Sequence, residues 1–165
     1  MSTTSGPAPA GAPTSAVVLL VHRDGRILLH LRDDDPGIVH PGLWGTFGGS
    51  VEPGETPEQC ARREVLEETG LALGTLQPLT QAVDREGRGA VASVFYAEGD
   101  FEPAAVRLAE GRAVELFTVD ELQGLPMVPF VRAAIRDVLV PLLASPARGR
   151  AGEGRTGPGR DGAQP

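Results

Sequence analysis

Apolar and polar positions along this chain switch between two periods. Ala16–His22 reads AVVLLVH, a β-branched apolar run, and Arg23-Asp24-Gly25-Arg26 is a turn signal. The run resumes over Ile27–Arg32, so the pattern predicts a β-hairpin. Residues 33–43 hold Pro36, Gly37, Pro41 and Gly42 and are predicted as a loop. Short strands are predicted at Trp44–Phe47 and Ser50–Glu52, around Gly48-Gly49, with a turn at Pro53-Gly54. Leu73–Asp84 and Ala90–Ala97 read as strands joined by a turn over Arg85–Gly89, and Ala113–Thr118 as another. A short helix is predicted from Val119. Phe130–Leu143 places apolar side chains at 130, 131, 134, 135, 138 and 139, a helical period, with Pro141 limiting the last turn. Strands with one central and one terminal helix put the chain in the α/β (α+β) class.

The central helix has the clearest signals. Thr56 is placed to cap it, Pro57 fits its first position, and Gln59 completes a Thr-x-x-Gln capping box. Gly70 supplies the stop, so the helix is predicted over Pro57–Thr69. Glu64, Glu67 and Glu68 are spaced i, i+3, i+4 and fall within an arc of roughly 100° on one face. Like charges there repel, and Glu67 and Glu68 crowd the negative end of the helix dipole. No local compensation is evident. Two readings follow: a hard divalent cation, Mg²⁺ or Mn²⁺, held between the carboxylates, or a solvated acidic face.

Composition sharpens the outline. Of 165 residues, 15 are basic, all of them Arg, and 22 are acidic, for a net charge of -7. Residues 1–14 and 145–165 carry no large apolar run and are predicted as disordered tails around a domain at 15–144. That domain holds 11 Arg against 20 acidic residues, near -9. Such a balance excludes a general nucleic-acid binder. The single cysteine, Cys60, excludes an internal disulfide framework and a multi-cysteine zinc site; it reads as a packing residue. The longest apolar run, Ala16–Val21, is too short to span a bilayer, and no signal-peptide pattern opens the chain, so a cytoplasmic protein with no membrane partner is expected.

Residues 49–71 read GSVEPGETPEQCARREVLEETGL. This segment resembles the Nudix box, G-x5-E-x7-R-E-U-x-E-E-x-G-U with U apolar. Gly49, Glu55, Arg63, Glu64, Val65, Glu67, Glu68, Gly70 and Leu71 match all nine fixed positions without insertion. The resemblance to the Nudix (MutT-like) hydrolase family implies an α/β/α sandwich around a mixed sheet. It also implies Mg²⁺-dependent hydrolysis of a diphosphate linkage in a nucleoside diphosphate derivative. By the same resemblance, Glu64, Glu67 and Glu68 match the metal-binding and base positions, and the carbonyl of Gly48 matches a further ligand. Gly49, Glu55, Arg63 and Gly70 match positions that steady the loop and helix. Many relatives carry Pro before the glycine pair; here Phe47 stands there. A non-catalytic Nudix-fold ligand-binding or regulatory module is the alternative class, although such modules often lose box glutamates and this chain keeps them.

Substrate clues outside the box each carry two readings. Arg32 is a bidentate phosphate donor or an ion-pair partner of Asp33–Asp35. Trp44 stacks on a base or packs in the core. His40 contacts substrate or is an ordinary loop histidine. Glu110, before the Ala113–Thr118 strand, is a further metal ligand or base, or a solvated side chain. The partner expected is a small-molecule diphosphate such as a modified nucleoside triphosphate or a nucleotide sugar, met by a monomer or homodimer.

Overall fold

The computed structural model describes residues 11–146, so the tail readings for residues 1–10 and 147–165 lie outside it. Among the described residues, seven strands form one mixed sheet: β1 (Ser15–His22), β2 (Ile27–Leu31), β3 (Trp44–Gly45), β4 (Phe47–Ser50), β5 (Gln77–Val83), β6 (Val91–Gly99) and β7 (Ala113–Phe117). β1 lies at the centre. It runs parallel to β6 on one side and antiparallel to both β2 and β4 on the other, while β7 and β3 add to β2 and β5 closes the far edge. Thr14 already belongs to this network, donating to the Val91 carbonyl at 2.9 Å and accepting from Val51 N–H at 3.0 Å.

The unbroken apolar run of β1 is explained by cover on both faces. Ala16, Val18 and Leu20 face α1 (Pro57–Thr69), packing with Phe47, Cys60, Ala61 and Val65. Leu19 and Val21 face the opposite layer, where Val131, Ala134, Ile135 and Leu139 come down from the C-terminal helical segment. The result is an α/β/α sandwich. That segment is not one regular helix. It runs from α2 (Pro129–Ala134) through a π-helical turn at Ile135–Leu139 into α3 (Val140–Leu143). Val140 N–H donates to the Ile135 carbonyl, so the ladder widens just before Pro141, whose ring lacks a donor and crowds the preceding turn. Among the described residues no helix is long and apolar enough to cross a membrane.

Two boundaries differ from the pattern-based reading for identifiable reasons. Gly48 and Gly49 do not separate two strands; they lie inside β4, paired with Val17 and Ala16. A Cβ on Gly48, whose φ is +152°, would lie 2.2 Å from the Ala16 carbonyl oxygen, so only glycine permits this approach of β4 to β1. The first four residues of the predicted Leu73–Asp84 strand are loop, with pairing starting at Gln77.

Candidate active site

α1 forms where its local signals place it. Thr56 Oγ1 accepts from Gln59 N–H at 3.2 Å, and Gln59 Oε1 accepts from Thr56 N–H at 2.9 Å. Gly70 closes the helix at φ 74° with its N–H on the Leu66 carbonyl. Two further carbonyls at this end are capped by a distant loop: Arg107 N–H donates to Thr69 O at 2.9 Å and Ala109 N–H to Glu68 O at 3.0 Å. That loop carries Glu110. Gly111 N–H in turn donates to Asp33 Oδ2 at 3.1 Å and Arg112 N–H to Leu31 O at 2.8 Å, so the loop joins the end of α1 to the end of β2.

Buried Ala61, Val65 and Thr69 fix the rotation of α1 on the sheet and direct its glutamates along β4. Glu68 is half-buried, and its Oε2 accepts from Gly48 N–H at 3.1 Å. Burial pushes its carboxyl up to about 7; the Gly48 N–H works against this, and the charges of Glu64 and Glu110 add to it. Gly49 has no side chain because one would occupy the place of the Glu64 carboxylate: a Cβ there would lie 2.4 Å from Glu64 Oε1.

The carboxylate face is less uncompensated than its spacing implies. Arg63 Nη1 reaches Glu64 Oε1 at 2.8 Å and Glu67 Oε2 at 3.3 Å. Its Nε and Nη2 grip both oxygens of Glu55 at 2.8 and 3.0 Å. That bidentate pair holds the Glu55 carboxyl down at about 2. Arg63 therefore ties the box loop to the helix and also pairs with Glu67, which is 60 % exposed. Among the described residues no group of three His, Cys, Asp or Glu side chains stands placed to hold a metal ion. The donor chemistry does suit a hard cation: carboxylate oxygens of Glu64 and Glu68 converge on a glycine backbone, with Glu110 close enough to be felt. Cys60 is buried beneath the loop, its Sγ on the Gly49 and Ser50 carbonyls, and burial raises its thiol to about 11, as befits packing.

Beside Gly48 and Gly49 opens a cavity of about 290 Å³ that also meets Arg32, His40, Asp84 and Phe130. Arg32 forms no ion pair with Asp33–Asp35; Nε and Nη2 instead hold the Val39 and His40 carbonyls at 2.7–3.2 Å. Trp44 stands apart from the cavity. It meets Phe117 edge-on, ring centres 4.8 Å apart, and packs against the core beneath the C-terminal helix. Sequence reasoning missed three features: the backbone tether at Arg107–Ala109, the Arg63 bridge to Glu64 and Glu67, and a contact between His40 and Asp84. Only the second left a signal, the Arg63/Glu67 spacing of i, i+4.

A profile of the NUDIX domain matches residues 12–138 of this chain. The oxidized purine nucleoside triphosphate hydrolase of Danio rerio is 47% identical over 62 residues, 38% of this chain and 38% of that protein. The nucleoside triphosphatase NudI of Escherichia coli is 46% identical over 67 residues, 39% of this chain and 47% of that protein. The aligned stretch thus spans less than half of either curated relative. A crystal structure of a MutT NUDIX hydrolase from Burkholderia pseudomallei superposes with a TM-score of 0.62 at 31% identity, covering 76% of this chain and 97% of that one.

Proposed function

This chain belongs to the NUDIX domain family, and from that premise we propose that it hydrolyses a diphosphate linkage in a nucleoside triphosphate or a related nucleoside diphosphate derivative. Family members generally use divalent metal ions, and Mg²⁺, with Mn²⁺ as a second choice, suits an all-oxygen donor set. The observation that carries the reading is Glu68: a carboxyl anchored to the N–H of Gly48, a residue that lines a cavity, and raised by burial and by two neighbouring carboxylates. The names of the two curated relatives favour nucleoside triphosphates as the substrate class.

Glu64 and Glu68, with the Gly48 carbonyl, are the groups that would hold the ion. Bound there, the ion supplies charge neutralisation between an acidic domain and a polyanionic substrate and acidifies the attacking water. The chain's own residues do the rest. Arg63 and Glu55 fix the loop over the helix, and Glu64 and Glu68 offer oxygens that accept the proton of the attacking water. The tether at Thr69 and Glu68 holds Glu110 near the same point as an additional acceptor.

The test is turnover of a panel of nucleoside triphosphates (oxidised purines included), nucleotide sugars and dinucleotides by the purified protein with Mg²⁺, with products identified. Hydrolysis that stops in EDTA is expected. Full activity in EDTA overturns the role of the metal, and inertness on every substrate favours a ligand-binding module instead.

A further inference from the structure

His40 and Asp84 lie 44 positions apart, yet His40 Nε2 sits 2.8 Å from each oxygen of the Asp84 carboxylate. Their side chains are 9% and 12% exposed, so the contact is largely shielded from water. Each partner is held from behind. The carbonyl of His40 and that of Val39 are gripped by Arg32. Asp84 Oδ1 also accepts Gly87 N–H at 3.0 Å, which winds the β5–β6 turn around the carboxylate. The two loops touch so closely that a Cβ on Gly87 would lie 2.1 Å from Asp84 Oδ2 and 2.8 Å from Val39 Cγ1.

His40 is also the one non-glycine among the described residues with a left-handed backbone, at φ 55°. A strained conformation persists where surrounding contacts over-determine it, and such positions cluster at ligand sites. The pair lines the same cavity as Gly48 and Gly49, together with Phe130 and Val128. Glu68 accepts from that same Gly48, so a substrate with its diphosphate at the carboxylates has this cavity beside it for the rest of itself.

We propose that His40 and Asp84 are a positioning pair that fixes the nucleoside end of the substrate and sets which nucleoside is preferred. The pair latches the β2–β3 and β5–β6 loops together and thereby sets the width of a cavity with both apolar (Val17, Val128, Phe130) and polar (Thr46, Arg88) lining, a combination that suits a nucleoside. A carboxylate on Nε2 fixes the ring's orientation and tautomer, so the edge it shows to the cavity is constant. The proposal rests on the nucleotide-hydrolase reading above.

The experiment compares the full chain with His40→Ala, Asp84→Ala, the double variant and His40→Gln, on a purine and a pyrimidine triphosphate with Mg²⁺. Binding of an α,β-methylene nucleoside triphosphate in Ca²⁺ and the melting temperature are recorded beside turnover. The alanine variants are expected to raise KM about tenfold with a smaller change in kcat, and to weaken analogue binding in parallel. Purine-against-pyrimidine preference should shrink by a similar factor. The double variant should be no worse than either single one, and His40→Gln, which can still donate to Asp84, should recover most of the loss. If the alanine variants do not fold, His40→Asn, which suits the left-handed backbone but is too short to reach Asp84, carries the same comparison. Variants with lower melting temperature but unaltered KM, preference and binding overturn the proposal while leaving the hydrolase reading intact. A native chain that neither binds nor hydrolyses any nucleotide overturns that reading and this proposal with it.

Discussion

The two helical layers of the sandwich bury similar apolar faces and differ in almost everything else. α1 begins at a reciprocal cap, ends at a left-handed glycine, and devotes its outer side to charge. The C-terminal segment begins on Pro129 without a side-chain cap, widens into a π turn, and carries Pro141 inside its last turn. Its Arg132 is spent on holding the Leu122 and Leu125 carbonyls. One layer is built from local rules and presents reactive groups; the other takes its shape from what it must cover. The proposed chemistry sits on the layer whose position is settled at both ends, which is what a site needing fixed oxygens requires.

The sharpest way to test that division is to strike the carboxylates. Glu68→Gln is expected to lower kcat by more than ~10²-fold with melting temperature retained, and Glu67→Gln to follow in the same direction. A native rate in both, measured at saturating substrate and metal, would falsify the assignment of chemistry to α1. The opposite layer should answer in stability instead. Leu139, fully buried, loses its packing in Leu139→Ala, which should cost about 3 kcal/mol and about 10 °C in melting temperature while kcat moves little.

A third test concerns His30, on β2 between the layers, 5% exposed, with Nε2 on the Thr46 carbonyl and Nδ1 unpartnered. Burial, with help from the Arg32 charge, pushes its pKa down to about 4 from 6.5. Above 6.5 it is neutral folded and unfolded alike, so stability is fully present. As pH falls from 6.5 toward 4 the unfolded chain takes up the proton first, and about 3 kcal/mol should be lost progressively. Urea midpoints for the native chain minus those for His30→Gln isolate this slope from Glu68, whose raised carboxyl works in the opposite sense. Equal slopes in the two proteins would show His30 to be unperturbed. The smallest effect expected is at the α1 cap: Thr56→Ala should cost about 1 kcal/mol, read as a few degrees in melting temperature.

Much of α1 was legible because each of its signals is local. Thr56, Gln59 and Gly70 act on backbone within one turn, so spacing alone placed both ends at the observed residues. Glycines were harder to read. Gly48-Gly49 has the look of a turn, and only the approach of Val17 and Glu64 explains why a strand lacks side chains there. The π turn is invisible to an apolar period that it interrupts without erasing. At the candidate site, the box residues are contiguous and legible as a motif; the contact of His40 with Asp84 was not, since a separation of 44 positions leaves no pattern that joins them. Trp44 illustrates the converse: adjacency along the chain to Gly45 and Phe47 put it beside the presumed site, while the pleat of the sheet sends it to Phe117.

The tether between residues 107–109 and the last carbonyls of α1 is made by main-chain donors alone. Its side chains are free to drift over generations without loosening it, whereas its length is not. One residue added or removed between Arg107 and Arg112 would shift Glu110 relative to its anchors, the carbonyls of Thr69, Glu68 and Leu31 and the carboxylate of Asp33. Among descendants of this sequence, that loop should therefore vary in composition and hold its length, and a gap there should mark chains in which the acidic cluster has been rebuilt or given up.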